Sequence, residues 1–359
     1  MKKILLPVSL ILLLAACGDT SEEAQSVDEN PEKLQVFTTV YPLTYFTERI
    51  AGDLVDVQSI YPAGSNEHTF EPTQQEMIGL ADADLMFSIG LGLEGFIDSA
   101  KETLQNENVE FVATADQISD EELEAALGHE EEAHEEEAHG DEAHEEEAHE
   151  EEAHGDEAHE EEAHEEEAHE EEAHEEAGSH DGHDHGSTDP HVWMSPVLSE
   201  KLAESIKNSL AEADPENAET YESNFTELVV ELETLDRSFE ALSDRVAKDT
   251  FFVSHAAFSY LSEPYGFEQV AIAGLNSQDE PSQKELTEIV DQAKEENVEY
   301  IVFEQNVSSN LTEVIQNEVG AEAIEMHNLG VLTQDNIDNE ETYFTLMEKN
   351  LQVLETILK

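Results

Sequence analysis

The feature that most limits how this chain can fold is a strand–helix alternation that occurs twice. From residue 34, LQVFTTV (34–40), VDVQSIY (55–61), DLMFSI (84–89) and VEFVAT (109–114) read as strands, with helical runs beginning near Leu43, Thr73 and Leu93. Such alternation gives a mainly parallel sheet, because each helix carries the chain back across a sheet face that it also covers. A second block repeats the pattern with FFVSH (251–255), EQVAIA (268–273), EYIVFE (299–304) and AEAIEM (321–326), and a last helix runs to the C-terminus. Between the blocks, Pro196 opens a helix to about Ala213 and Pro215 opens another. In that second helix apolar residues from Tyr221 through Leu228, Leu232 and Phe239 to Val246 recur at steps of three or four, which predicts an amphipathic helix of about 30 residues. The expected fold is α/β: two lobes, each a mainly parallel sheet flanked by helices, bridged by one long helix. The N-terminal lobe is placed at 34–195, the linking helices at 196–248 and the C-terminal lobe at 249–359.

Lys2 and Lys3 precede an apolar stretch from Ile4 to Ala16. It has the length of a secretory h-region and is too short to span a hydrocarbon layer of about 30 Å. The stretch ends Leu14-Ala15-Ala16-Cys17 and resembles the lipobox of bacterial lipoproteins, in which the cysteine is lipidated and becomes the first residue. Residues 1–17 therefore read as a lipoprotein signal peptide, with Cys17 as the lipidation site. Residues 18–33 read as a polar tether. The expected location is extracytoplasmic, anchored by lipid to the outer face of the cell membrane. Cys17 is the only cysteine, so a mature fold has no disulfide and no thiolate metal ligand.

A net charge of −75 argues against nucleic acid and against direct binding to anionic lipid. Residues 129–186 hold 29 of the Asp and Glu residues with no Lys or Arg, which leaves −46 on the rest. The same insert holds thirteen of the 17 histidines, nine of them one every five residues from His134 to His174. On a helix that period would rotate successive histidines by about 140°, so they form no single face. The crowded carboxylates also repel one another at helical spacing, so disorder or fluctuating helix is expected without metal. Seven of the nine histidines from His134 to His174 follow glutamates three and four positions back, as His134 follows Glu130 and Glu131, a spacing that allows many weak two-ligand zinc sites.

His68, His191, His255 and His327 lie outside the insert. His68 falls in a loop after the second strand (PAGSNEHTFEP), His191 in DPHVWMSP before a helix, and His255 closes the strand of FFVSHAAF. The carboxyl ends of strands line the ligand crevice of open α/β sheets, so His68 and His255 could face each other across two lobes. Three imidazoles suit Zn²⁺ and leave one position for a carboxylate or water. Any one of these histidines alone would read equally well as an ordinary loop or core residue.

Together PAGSNEHTFEPTQQE, DPHVWMSP and FVSHAAFSYLSEPYGF resemble the solute-binding lipoproteins of bacterial metal-uptake ABC transporters, specifically the zinc branch. The resemblance covers residues 34–359. It implies His68, His191 and His255 as Zn²⁺ ligands, an ABC importer permease as partner, no enzymatic turnover, and a monomer. The manganese branch carries a carboxylate at the third position, so His255 favours zinc. The chain departs from many zinc-branch relatives in HNLGVLT (327–333), where Gly330 stands in place of a carboxylate. Glu67, beside His68, serves as fourth ligand in some relatives; water and His327 are the alternatives.

Two other functional classes compete. A zinc hydrolase or lyase would also use three histidines and water, with Glu67 as base, but the chain has no H-E-x-x-H or G-x-S-x-G motif. A surface adhesin or metal buffer would use the insert as its working part. Gly90, Gly92 and Gly95 form G-x-G-x-x-G after a strand, the spacing of a dinucleotide loop. The motif follows the third strand and contains Glu94, which would repel a pyrophosphate. A tight turn close to the cleft is the expected role.

Overall fold

The computed structural model describes residues 33–128, 188–305 and 310–359. The signal peptide, Cys17, the tether and the histidine-rich insert lie outside the described residues.

The first alternating block forms β1 (Leu34–Thr38), α1 (Tyr41–Ala51), β2 (Val55–Ser59), α2 (Gln74–Ala81), β3 (Leu85–Ser88), α3 (Ile97–Thr103), β4 (Glu110–Ala113) and α4 (Asp120–Ala125). The strands pair in parallel in the order β2-β1-β3-β4. Then come α5 (Pro196–Ala213) and α6 (Ala218–Ser243). The second block gives β5 (Thr250–His255), α7 (Ser259–Ser262), β6 (Glu268–Ala273), α8 (Gln283–Glu295), β7 (Tyr300–Glu304), α9 (Asn310–Val319), β8 (Glu322–Met326), α10 (Gln334–Asp338) and α11 (Tyr343–Ile357). Its sheet, β6-β5-β7-β8, is again parallel and has the same order as the first.

Local chemistry explains several boundaries. α2 starts where Thr73 and Glu76 exchange the reciprocal bonds of a capping box. The Ser195 hydroxyl accepts the N–H of Leu198, and Pro196 follows at the first helical position, so α5 starts there. The long helix α6 has 26 residues and ends at Ser243, before Val246, which packs from the turn that follows. The expected helix near Leu93 begins only at Ile97. Residues 90–93 are held by left-handed backbone at Gly90, Leu91 and Gly92.

The inner strands β1, β3, β5 and β7 are largely buried on both faces, as parallel strands between helix layers are, whereas the edge strands are partly exposed. In β5, Phe251 and Val253 join the main core, whereas Phe252 joins a second cluster with Ile272, Ile301 and Ile315. The main core contains residues of both sheets and of α1, α5, α6 and α11, so the lobes share one apolar interior. Trp193 lies in it fully buried: its indole N–H donates to the carbonyl of Asn328 at 2.7 Å, and its own carbonyl accepts from Tyr343 Oη at 3.0 Å. Backbone bonds from Tyr41 N–H to the Gly330 carbonyl and from Gly64 N–H to the Leu332 carbonyl, each 2.9 Å, join the segment after β8 to the N-terminal block.

Candidate metal centre

Each sheet reverses its strand order between its first strand and its third, β1/β3 and β5/β7, and ligands bind in the crevice outside such a point. His255 ends β5 and Glu304 ends β7, so the fold places them side by side there. His68 comes from the loop after β2, and His191 directly precedes the turn Val192–Met194 that leads into α5. The three rings converge, with centroids 5.2 Å apart for His68–His191, 5.3 Å for His68–His255 and 5.0 Å for His191–His255. One ligand nitrogen from each lies within 4.8 Å of the others.

Neighbours decide which nitrogen each ring presents. His191 Nδ1 lies 2.7 Å from Asp189 Oδ1, which also accepts the backbone N–H of His191 at 2.9 Å. A carboxylate can only accept, so Nδ1 carries the proton and Nε2 is a free lone pair. That Nε2 lies 3.3 Å from His68 Nε2. His255 repeats the design: Nδ1 lies 2.7 Å from Glu304 Oε2, while Glu304 Oε1 accepts from the Ser254 hydroxyl at 2.6 Å and the His255 N–H at 3.1 Å. His255 Nε2 is buried and has no hydrogen-bond partner among the described residues. Carboxylate–imidazole pairs of this kind fix ring orientation and raise the basicity of a metal-ligating nitrogen.

Charge follows the same pattern. Burial, and after it the neighbouring His191 and His255, push the pKa of His68 down to about 3. Burial acts to lower His255 as well, but the Glu304 carboxylate outweighs it and raises His255 above the ordinary histidine value. Burial likewise opposes ionisation of Glu304, yet His255 holds its carboxyl below the usual range.

Glu67 is 2% exposed, and burial raises its carboxyl pKa. It does not belong to the set of ligand atoms within 4.8 Å of one another. Its Oε1 accepts from Asn328 Nδ2 at 2.8 Å, and its Oε2 is buried without a hydrogen-bond partner among the described residues. Gly330 makes room for it, since a Cβ at 330 would overlap Glu67 Oε1. His327 is turned elsewhere. Its Nδ1 accepts from Leu329 N–H at 2.7 Å and its Nε2 lies 3.1 Å from Asn336 Oδ1, so both nitrogens serve the loop.

The glycine motif shows why it does not cradle a phosphate. The N–H groups of Ile89 and Gly90 donate to the Glu94 carboxylate at 2.8 and 3.1 Å, and the Thr39 hydroxyl donates to it at 2.7 Å. The N–H groups that open the turn are thus taken by the chain's own anion. Its residues Leu91 and Gly92, with Thr188 and Asn276, line a cavity of about 370 Å³ that reaches His68.

Sequence reasoning missed Asp189, Glu304 and Asn328. Asp189 could have been found two residues before His191, and Glu304 as a carboxylate at the carboxyl end of a parallel strand. Asn328 left no signal, because its role depends on contacts with both lobes.

Two parallel α/β lobes with convergent imidazoles between them define a solute-binding protein for a metal cation. The model of the family described as "Zinc-uptake complex component A periplasmic" matches residues 36–357, and the chain belongs to that family. It is 33% identical over 347 residues to the high-affinity zinc uptake system protein ZnuA of Bacillus subtilis, covering 97% of this chain and 94% of that one. It is 31% identical to the zinc-binding lipoprotein AdcA of Streptococcus pneumoniae, covering 99% of this chain but only 60% of that longer protein. The Zn(II)-bound ZnuA-like domain of the same AdcA superposes with a TM-score of 0.63 at 28% identity, covering 91% of this chain and 99% of that domain.

Proposed function

We propose that the chain captures Zn²⁺ outside the cytoplasm at His68, His191 and His255 and delivers it to the permease of an ABC importer. The observation that carries this reading is the meeting of one ligand nitrogen from each of three imidazoles. Two of their rings are locked by carboxylates on the opposite nitrogen, and one is buried without another partner. Nitrogen-rich ligation with no thiolate suits Zn²⁺ better than Mn²⁺, which prefers oxygen donors. Glu67 is the fourth ligand in this account, through the oxygen that Asn328 leaves free.

The site binds and releases its ion without turnover. His191 and His255 are 0% exposed, which suits an ion held between lobes better than one offered to a bulky substrate. Cys17 carries the lipid that keeps the protein at the outer face of the membrane, and the protein acts as a monomer. The anchoring proposal is supported by the Leu14-Ala15-Ala16-Cys17 sequence and by the relative named a lipoprotein. Among the described residues no helix is long and apolar enough to cross a membrane. Anaerobic purification followed by mild chelation and elemental analysis tests the function. Retention of one zinc per chain supports it, and preferential retention of manganese contradicts it.

A further inference from the structure

The segment after β8 carries one amide that serves both lobes. Asn328 Nδ2 donates to Glu67 Oε1 at 2.8 Å and to Glu304 Oε2 at 3.2 Å. Glu67 comes from the loop after β2, Glu304 ends β7, and both are buried. An amide nitrogen has two hydrogens, so both are committed to carboxylates.

The amide is itself held in place. Asn328 Oδ1 accepts from Gly330 N–H at 3.0 Å, and its carbonyl accepts the indole N–H of Trp193 at 2.7 Å. On the other side, His327 N–H donates to Asn350 Oδ1 at 2.9 Å, and Asn350 Nδ2 donates back to the His327 carbonyl at 2.7 Å. Leu329 adopts a left-handed φ of 61°, a conformation held by the bond from its N–H to His327 Nδ1. An asparagine needed only to shape this loop would use the oxygens. The two Nδ2 bonds point instead at the groups around the histidines.

Which oxygens the amide takes determines its effect. Glu304 Oε2 is the atom that also accepts the Nδ1 proton of His255. A second donor on that atom restrains the carboxylate, and through it the direction of His255 Nε2. At Glu67, engagement of Oε1 leaves Oε2 as the oxygen without a partner among the described residues. We infer that Asn328 is a positioning residue of the zinc centre: a single uncharged amide orients one carboxylate from each lobe, and so aligns His255 Nε2 and Glu67 Oε2 on one ion. This rests on the proposed zinc site and adds to it a residue that touches no metal.

The test compares the full-length protein with Asn328→Ala, Glu67→Ala and the double variant. Three readouts are zinc affinity by chelator competition, the visible absorption of the Co²⁺-loaded protein, and melting of the metal-free protein. Partners of metal ligands typically contribute about 10–100-fold in affinity, and that loss is expected for Asn328→Ala, with an altered Co²⁺ band. In the double variant the two losses should fall short of multiplying, because part of the asparagine's effect passes through Glu67. The double variant should still bind more weakly than Glu67→Ala alone, through the Glu304 arm. That comparison stands even if Asn328→Ala fails to fold, because the double variant also removes the carboxylate left without its donor. Wild-type affinity and Co²⁺ absorption in Asn328→Ala would overturn the inference, even with a lowered melting temperature. So would a double variant indistinguishable from Glu67→Ala. If the wild-type chain took up neither zinc nor Co²⁺, the zinc-site reading itself would fail instead.

Discussion

His255 Nδ1 and Glu304 Oε2 lie 2.7 Å apart at the ends of adjacent parallel strands, and both side chains are fully buried. The pair commits one ring nitrogen to the protein and leaves the other for a ligand. Replacing Glu304 by Gln should keep the shape but weaken this control over the tautomer. We expect zinc affinity to fall about 10–100-fold. Chelator competition on Glu304→Gln checks it, and wild-type affinity would count against the pair's role.

The pH dependence follows from the same pair. A histidine must be neutral to bind metal, so protons compete with zinc as pH falls through its pKa. Glu304 raises His255, so competition there begins above the ordinary value of about 6.5. His68, pushed down to about 3, stays neutral and adds none in that range. Zinc affinity should therefore fall between pH 7.5 and 5. The decline should begin at lower pH in Glu304→Gln, where His255 loses the anion that raises it. Affinity that stays flat over that range in the wild type would contradict the ligand set.

Gly330 and Glu67 form a close-packed pair. A methyl group at 330 must displace the Glu67 carboxylate, because the two would overlap. Overpacking of this kind typically costs about 1–3 kcal/mol. Gly330→Ala should lower the melting temperature of the metal-free protein and weaken zinc binding together. Unchanged zinc affinity would remove Glu67 from the site.

Much of this fold was legible because strand and helix periods differ. β6 and α5 occur at the residues their patterns mark, and the other strands shift by one or two residues at their ends. The late start of α3 was not legible, because it depends on Glu94 folding back onto the N–H groups of Ile89 and Gly90. Within the site, each histidine stands out by type, and His191 and His255 also by position at a helix start and a strand end. Their supporting groups do not. Asp189 and Glu304 are two acidic residues in a chain with 89, and only proximity to a ring sets them apart.

The insert at 129–186 should contribute weak sites. The five-residue period gives its histidines no shared helical face, so a site there would have to fix several residues at roughly 1–2 kcal/mol each. Its carboxylates would concentrate divalent cations, an effect screened over about 8 Å at physiological salt. Deleting it should leave one tight event in titration calorimetry and remove several weak ones, with growth on scarce zinc slowed but not abolished. Loss of the tight event would mean that the insert supplies a ligand. An unchanged titration would make the repeat a solvated spacer.

In the proposed function His68, His191 and His255 hold the transported ion. The most direct measurement is zinc content after mild chelation in the chain lacking 129–186, compared with the same chain carrying His68→Ala, His191→Ala and His255→Ala. One zinc per chain is expected in the first and none in the second, with folding of both confirmed by circular dichroism. Stoichiometric zinc retained by the folded triple variant would contradict it.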